Sequence, residues 1–480
     1  MARPYEEDEP AQLALARSAS SLLIVGSLFV LGLAVRLHDY VLAPGLTDVP
    51  TEFSFGWAGL RLLAGRAPSG ASSLAPYAGH AVDVTYVGLR FHLATPWVDA
   101  PPLWALLSGL SARVAGATQF QQLTVEAMRR PSLLFGVITV PLGYALARRV
   151  MPPIAALAAG ALLAVEPGLV LLSRVSVPEA ALAAAILFVV LLVSPPVPET
   201  QPQGSAGVGP APELAPSRAA LASLAAVCAL APLARLSGIA VAVAGAGILY
   251  SRGLRREAVI AAAAGGAGLV AALLYGFAAG GGLFLPVLKA QADSGGGAAG
   301  LLTLITGRPG PGRTLLDGWA VFGWIALAYL AGNAKRRHRN RALLWPVVAY
   351  VAIAVPFLSA RDLPFEGWFL LPVLPLLLIG ATAALYAAVR EGQLLLPALA
   401  ALTAVAWSIQ WIVVGGWQPG AVVLLALAGV ALVPLAVAEV QPRGAVRDAG
   451  QGIWAALAFT ALAGCVVLSW NLAIELPRLG

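Results

Sequence analysis

Residues 19–35 read ASSLLIVGSLFVLGLAV, and residues 36–66 read RLHDYVLAPGLTDVPTEFSFGWAGLRLLAGR. The first run is apolar over the length of a membrane-spanning helix; the second opens a polar island that lasts to about residue 130. Most of the chain resembles the first run. Of its 480 residues, 59% are hydrophobic and only 11% charged, and mean hydropathy is +0.83. A soluble chain carries roughly a quarter of its residues charged, so the solvent expected here is lipid. Within lipid the backbone must satisfy its own hydrogen bonds, and long unbroken Ala/Leu/Val runs do so as helices rather than as barrel strands. The reading is an all-α, polytopic transmembrane protein in the cell membrane.

Charge sets the order of spans. If residues 101–116 do not cross, thirteen spans fall near 19–35, 131–147, 154–172, 179–194, 219–234, 236–250, 257–279, 318–333, 342–359, 367–388, 394–414, 420–438 and 453–473. With the N-terminus inside, Arg148–Arg149, Arg252–Arg256, the KRRHRNR run at 335–341, Arg390 and Arg443–Arg447 all lie on the cytoplasmic side, as the positive-inside rule requires. The formal charge of +7 therefore reads as topology, not as a nucleic-acid surface. The expected organisation is a disordered tail at 1–18 and a first membrane module at 19–193 with a large outer loop at 36–130. A Pro/Gly-rich linker follows at 194–217, then a second module at 218–480 with an outer loop at 280–317. Inside the first loop, 53–65 and 101–116 have the spacing of helices lying in the interface.

That topology collects charged residues on the outer side: Asp48, Glu52, Asp99, Arg129, Arg130, Arg174, Glu179, Arg235, Arg361 and Glu366 among them. Acids near arginines can move a proton while an anionic phosphate is stabilised. Loops must hold polar residues in any case, and Asp99, just before Pro101-Pro102, equally suits a helix start. His80 and His92 have no second ligand at zinc-site spacing, and Cys228 and Cys465 form no disulfide framework.

Five segments, in order, resemble the GT-C glycosyltransferases of the protein-O-mannosyltransferase and aminoarabinose-transferase type. They are TEFSFGWAGLRLLAGR (51–66), WVDAPPLW (97–104), RRPSLLFGVITVPLGYALARRV (129–150), EPGLVLLSRVSVPEA (166–180) and FEGWFLLPVLPLLL (365–378). The family's tandem Asp-Glu stands here as Thr51-Glu52, with Asp48 upstream, and Ala100 replaces a residue that is often His or Lys. The resemblance implies transfer of a sugar from a polyprenyl-phosphate donor to a hydroxyl of a protein, lipid or glycan. It implies Glu52 or Asp48 as base, and Arg129, Arg130 and Arg174 at the donor phosphate. Asp99 and Glu179 would serve the acceptor or a divalent cation such as Mg2+ or Mn2+, with Arg361 and Glu366 as further candidates. Arg174 and Glu179 are also close enough in sequence to pair with each other. The alternatives are a transporter or flippase of a lipid-linked sugar, or a non-catalytic relative. A transporter calls for repeats and midplane charges that the sequence lacks.

Overall fold

The computed structural model describes residues 9–42, 49, 51–194, 216–293, 318–332, 337–354 and 366–391, with 396, 399, 400 and 403. Asp48, Arg361 and the expected spans at 394–414, 420–438 and 453–473 lie outside the described residues.

Helix α1 (Glu9–Leu37) begins ten residues before its apolar core, so residues 9–18 are helical where a disordered tail was expected. The first outer loop then holds α2 (Thr51–Leu63) and three short strands, β1 (Gly70–Ala71), β2 (Ala81–Tyr86) and β3 (Leu89–Ala94). Next come α3 (Pro102–Val114) and α4 (Val125–Val150). Beyond them lie α5 (Pro153–Val165), α6 (Pro167–Ser173), α7 (Glu179–Val193), α8 (Arg218–Ala234) and α9 (Ile239–Ser251). The order closes with α10 (Arg255–Gly280), α11 (Phe284–Asp293), α12 (Gly318–Gly332), α13 (Arg337–Ala354) and α14 (Leu374–Glu391).

The strands correct the all-α expectation. They form one antiparallel sheet in the order β1-β3-β2, with Val82 opposite Leu93 and Val84 opposite Phe91. Alternation explains the pairing. Val84, Tyr86, Phe91 and Leu93 face an aromatic cluster with Phe53 and Phe120, while Asp83, Arg90 and His92 form ion pairs on the other face. Val87 and Gly88 turn the hairpin with φ of 47° and 78°, left-handed at both positions as a two-residue hairpin needs.

Two helices, Val125–Val150 and Arg255–Asp293, are long and apolar enough to cross a membrane, and α5 with α6 passes as one span bent by 49°. Shorter apolar helices lie at Ser21–Leu37, Glu179–Val193, Arg218–Ala234, Leu236–Ser251, Gly318–Gly332, Arg341–Ala354 and Leu374–Ala388. Each of these segments coincides with an expected span, although most are shorter than the ~20 residues a full crossing takes. Large apolar side chains on their outward faces are exposed, among them Leu22, Val30, Leu134, Val270 and Trp345, the pattern of a lipid-facing surface. Helix α3 has 13 residues and rises about 20 Å.

The first turns of α2 are enclosed on all sides: Glu52 and Ser54, two residues apart and so on nearly opposite faces, are both buried, and Ser54 Oγ accepts from Ala71 N at 2.9 Å, which anchors β1. Helices α2 and α3 touch backbone to backbone. A Cβ on Gly59 would stand 1.8 Å from Ala105 O, and one on Gly109 would stand 2.3 Å from the Gly59 carbonyl carbon. Gly59→Val should therefore force the helices apart and lower stability by at least ~2 kcal/mol, read as a fall in unfolding temperature of the detergent-solubilised protein.

Candidate functional site

Three polar centres form where the outer loop meets the helices. The deepest joins α2, α4 and the segment after α6. Arg129 Nε donates to Glu52 Oε1 and Oε2 at 3.0 and 3.1 Å, and Ser176 N donates to Glu52 Oε1 at 2.7 Å. Both side chains are almost wholly buried, at 0% and 1% exposure. Arg129 Nη1 reaches Tyr40 O at 2.7 Å. Arg174 lies alongside, its Nη2 donating to Val35 O and His38 O at 2.7 Å each. Both arginines thus hold the carbonyls that the end of α1 leaves free, as cations do at helix C-termini.

Arg36, which sequence reasoning passed over as a span end, is fully buried and does the same for α5. Its Nη1 and Nη2 donate to Ala164 O at 2.9 Å and Leu163 O at 3.1 Å. Across the break Glu166 caps α6, accepting from Gly168 N and Leu169 N at 2.9 and 2.6 Å. Arg130, expected beside Arg129 at a phosphate, points outward and pairs with Glu126 one turn away at 2.6 Å. Adjacent positions on a helix lie about 100° apart, so the two arginines cannot share a target.

The second centre is Asp99. Tyr77 OH donates to Asp99 Oδ1 at 2.7 Å and accepts from Val98 N at 2.9 Å, which fixes the direction of the hydroxyl. Gln291 of α11 donates to Asp99 O at 2.9 Å. The cleft here, bounded by Asp99, Pro101, Leu236, Tyr275 and Phe284, has a volume of about 10 Å³, room for one water. Burial pushes the Asp99 carboxyl above its ordinary range, and the hydrogen bond from Tyr77 pulls the other way. The Tyr77 hydroxyl is pushed up by burial and by the carboxylate beside it.

The third centre is Glu179. It pairs with Arg235, at the end of α8, rather than with Arg174. Glu179 is fully buried, while Arg235 keeps 28% exposure and stacks 4.6 Å over Phe369. Sequence reasoning placed Arg235 on the outer side without giving it a role; its only signal was an arginine closing an apolar run. Tyr77 carried no signal at all. Glu366 opens a short 3-10 turn, Glu366–Leu370, ahead of α14.

An apolar groove of about 550 Å³ runs between α3, α4, α7 and α8, lined by Trp104, Phe135 and Phe188 among others. Its lining includes Ala181, two residues past Glu179; Ala234, just before Arg235; and Leu103, just past the Pro-Pro after Asp99. The groove's lining is thus adjacent in sequence to the second and third centres.

The fold occurs in known proteins. The structure superposes on ArnT from Cupriavidus metallidurans bound to undecaprenyl phosphate with a TM-score of 0.53. The identity is 16%, covering 96% of this chain and 78% of that one. The chain has the GT-C glycosyltransferase fold. The archaeal oligosaccharyltransferase AglB from Archaeoglobus fulgidus, in complex with an inhibitory peptide and a dolichol-phosphate, superposes with a TM-score of 0.50. There the identity is 13%, over 95% of this chain and 56% of that one. The family model for dolichyl-phosphate-mannose-protein mannosyltransferase matches residues 99–210, which in this GT-C fold run from Asp99 through α7. No curated protein is significantly similar to the chain in sequence. Among the described residues no three His, Cys, Asp or Glu side chains stand close enough to hold a metal ion.

The Glu52–Arg129 pair makes the sharpest prediction. Arg129→Gln leaves a buried carboxylate unpaired and should cost about 3–5 kcal/mol. Adding Glu52→Gln should restore much of that loss, and a double-mutant cycle on unfolding free energies measures the coupling. Additive losses would show that the pair does not hold the fold.

Proposed function

We propose that the chain is a membrane glycosyltransferase, with thirteen spans in the cell membrane and its site on the outer face. It takes a sugar from a polyprenyl-phosphate donor and passes it to a hydroxyl of a protein, lipid or glycan acceptor. The observation that carries this reading is the apolar groove whose lining residue Ala234 directly precedes the half-buried Arg235, itself paired with Glu179. A polyprenyl tail fits such a groove, its phosphate meets Arg235, and the sugar faces Asp99. The ArnT and AglB structures contain undecaprenyl phosphate and dolichol-phosphate respectively, which supports a lipid-phosphate donor.

In the transfer step the acceptor oxygen attacks the anomeric carbon and its proton passes to the Asp99 carboxylate. The bond from that carbon to the phosphate oxygen breaks, and polyprenyl phosphate leaves with the electron pair. Arg235 faces the charge that grows on the phosphate; its planar guanidinium stays protonated throughout. Glu179 and Phe369 hold it in place. Asp99 suits the base better than Glu52, because both Glu52 oxygens are already engaged by Arg129. A proton arriving at Glu52 would have to break the buried pair. Glu52, Arg129 and Arg174 thus position the loop that carries the site. A divalent cation at Asp99 would require a ligand set beyond the described residues, and no step is routed through one.

Asp99→Asn should lower transfer by about 10²-fold or more in an assay with a panel of polyprenyl-phosphate sugars, with donor binding retained. Full activity in that variant would remove the assignment. Because the base works ionised, activity should rise with pH through the Asp99 titration, on a limb above the ordinary carboxylate range. Tyr77→Phe removes a donor that favours the ionised form, so its limb should move to higher pH. Arg235→Gln should raise the donor KM about tenfold or more, the loss of a charged hydrogen bond to phosphate.

A further inference from the structure

The buried layer beneath the proposed site contains more donors than acceptors. Arg129 uses Nε on Glu52 and Nη1 on Tyr40 O; its Nη2 has no partner among the described residues. Arg174 uses Nη2 on two carbonyls; its Nε and Nη1 have none. Ser132 Oγ, three residues after Arg129 on the same face of α4, is also buried without a partner. Neither arginine exposes any surface.

The two arginines lie close enough to repel each other. The carbonyls held by Arg174 and Arg129 belong to His38 and Tyr40, two residues apart in one turn. Glu52, bonded to Arg129, also takes the amide of Ser176, two residues past Arg174. Two guanidiniums therefore lie side by side out of water. The acids that face them are Glu52, whose oxygens are engaged, and Asp39, half-exposed and turned to His38 at 3.4 Å. Arg36 adds a third cation, tied to the carbonyls of α5 and to Ser173.

Water fills such a place poorly. It would accept from the arginines and still have two hydrogens, turned toward two cations. An anion accepts from every donor and offsets the repulsion between the guanidiniums. Enclosure excludes a headgroup tethered to a lipid tail.

We propose that Arg129 Nη2, Arg174 Nε and Nη1, and Ser132 Oγ enclose a small monovalent inorganic anion of about chloride size. It is a structural ion, separate from the donor phosphate at Arg235.

The test uses the full chain in detergent, with unfolding temperature followed in potassium chloride, potassium bromide and potassium gluconate at equal ionic strength. Halide should raise the unfolding temperature in a saturable way, as for any ligand that binds only the folded state; gluconate is too large to enter. Ser132→Ala removes one neutral donor without touching a helix clamp, so the half-saturating chloride concentration should rise about 2- to 10-fold. Arg174→Gln should abolish the halide dependence, whereas Arg130→Gln, on the outer surface, should leave it intact. Equal unfolding temperatures in chloride and gluconate would overturn the proposal, as would a dependence that Ser132→Ala leaves unchanged. Neither result bears on transfer activity, so this proposal fails or stands apart from the glycosyltransferase reading.

Discussion

The ion pair between Glu52 and Arg129 ties together three separate parts of the chain, beside an apolar cluster in which Phe53 and Leu60 pack with Met128. Glu52 stands in the first turn of α2, Arg129 near the start of α4, and Ser176 in the segment between α6 and α7. With both side chains out of water, a solitary carboxylate or guanidinium here would be far more costly than any packing contact nearby. The pair therefore fixes where α2 sits, and α2 carries the sheet through Ser54 and α3 through Gly59. Asp99, between β3 and α3, is in turn held by elements that all rest on this anchor. Such a pair adds specificity of arrangement rather than net stability, since a well-packed apolar replacement is often no less stable.

Arginines recur at helix ends elsewhere. Arg149 donates to Leu191 O and Ser194 O, and Arg252 to Val193 O, both at the end of α7. Arg36 and Arg174 do the same for α5 and α1. A helix that stops inside or at the edge of a membrane leaves carbonyls which water cannot reach, and a long cation with several donors satisfies them. The break between α5 and α6 shows both halves of the rule. Pro167 contributes no N–H, Arg36 takes the carbonyls on one side, and Glu166 takes the amides on the other. Two of the basic residues used to orient the spans, Arg149 and Arg252, thus also finish a helix other than the one they follow.

The membrane helices were legible because burial in lipid demands long apolar runs, and a run is visible in one dimension. Helix α2 was legible as a helix, but its orientation was not. Glu52 and Ser54 each suit a water-facing position or a buried one with partners, and the partners lie 17 to 124 residues away in the chain. The β2–β3 hairpin had a signal in the strict alternation of 81–94, masked by an overall composition that argued for helices and by a Val-Gly turn in place of Asn-Gly. Among the candidate residues, Arg129 and Glu52 were correctly grouped, yet the grouping turned out to be an anchor. Arg130 was misplaced because neighbours in sequence were taken as neighbours in space. Arg235 was undervalued because it stands outside every motif.

The groove constrains what kind of selectivity such a site can have. A polyprenyl tail leaving the bilayer for the groove exchanges one apolar surrounding for another, so the transfer brings almost no hydrophobic gain. The groove therefore acts as a register: it sets how far the lipid slides before its phosphate meets Arg235, and little of the affinity resides there. On the proposed function, discrimination among donors falls to the few polar groups beside the groove, Arg235 at the phosphate and the Asp99 cleft at the sugar. Because that cleft admits a single water while Gln291 holds α11 against it, a sugar there would call for a shift of α11. Sugar specificity then depends on how α11 repacks through Phe284 and Val287 against Trp97 and Val98. Differences in donor sugar between proteins of this fold should accordingly map to the face of α11 and its apolar seat rather than to the buried arginines.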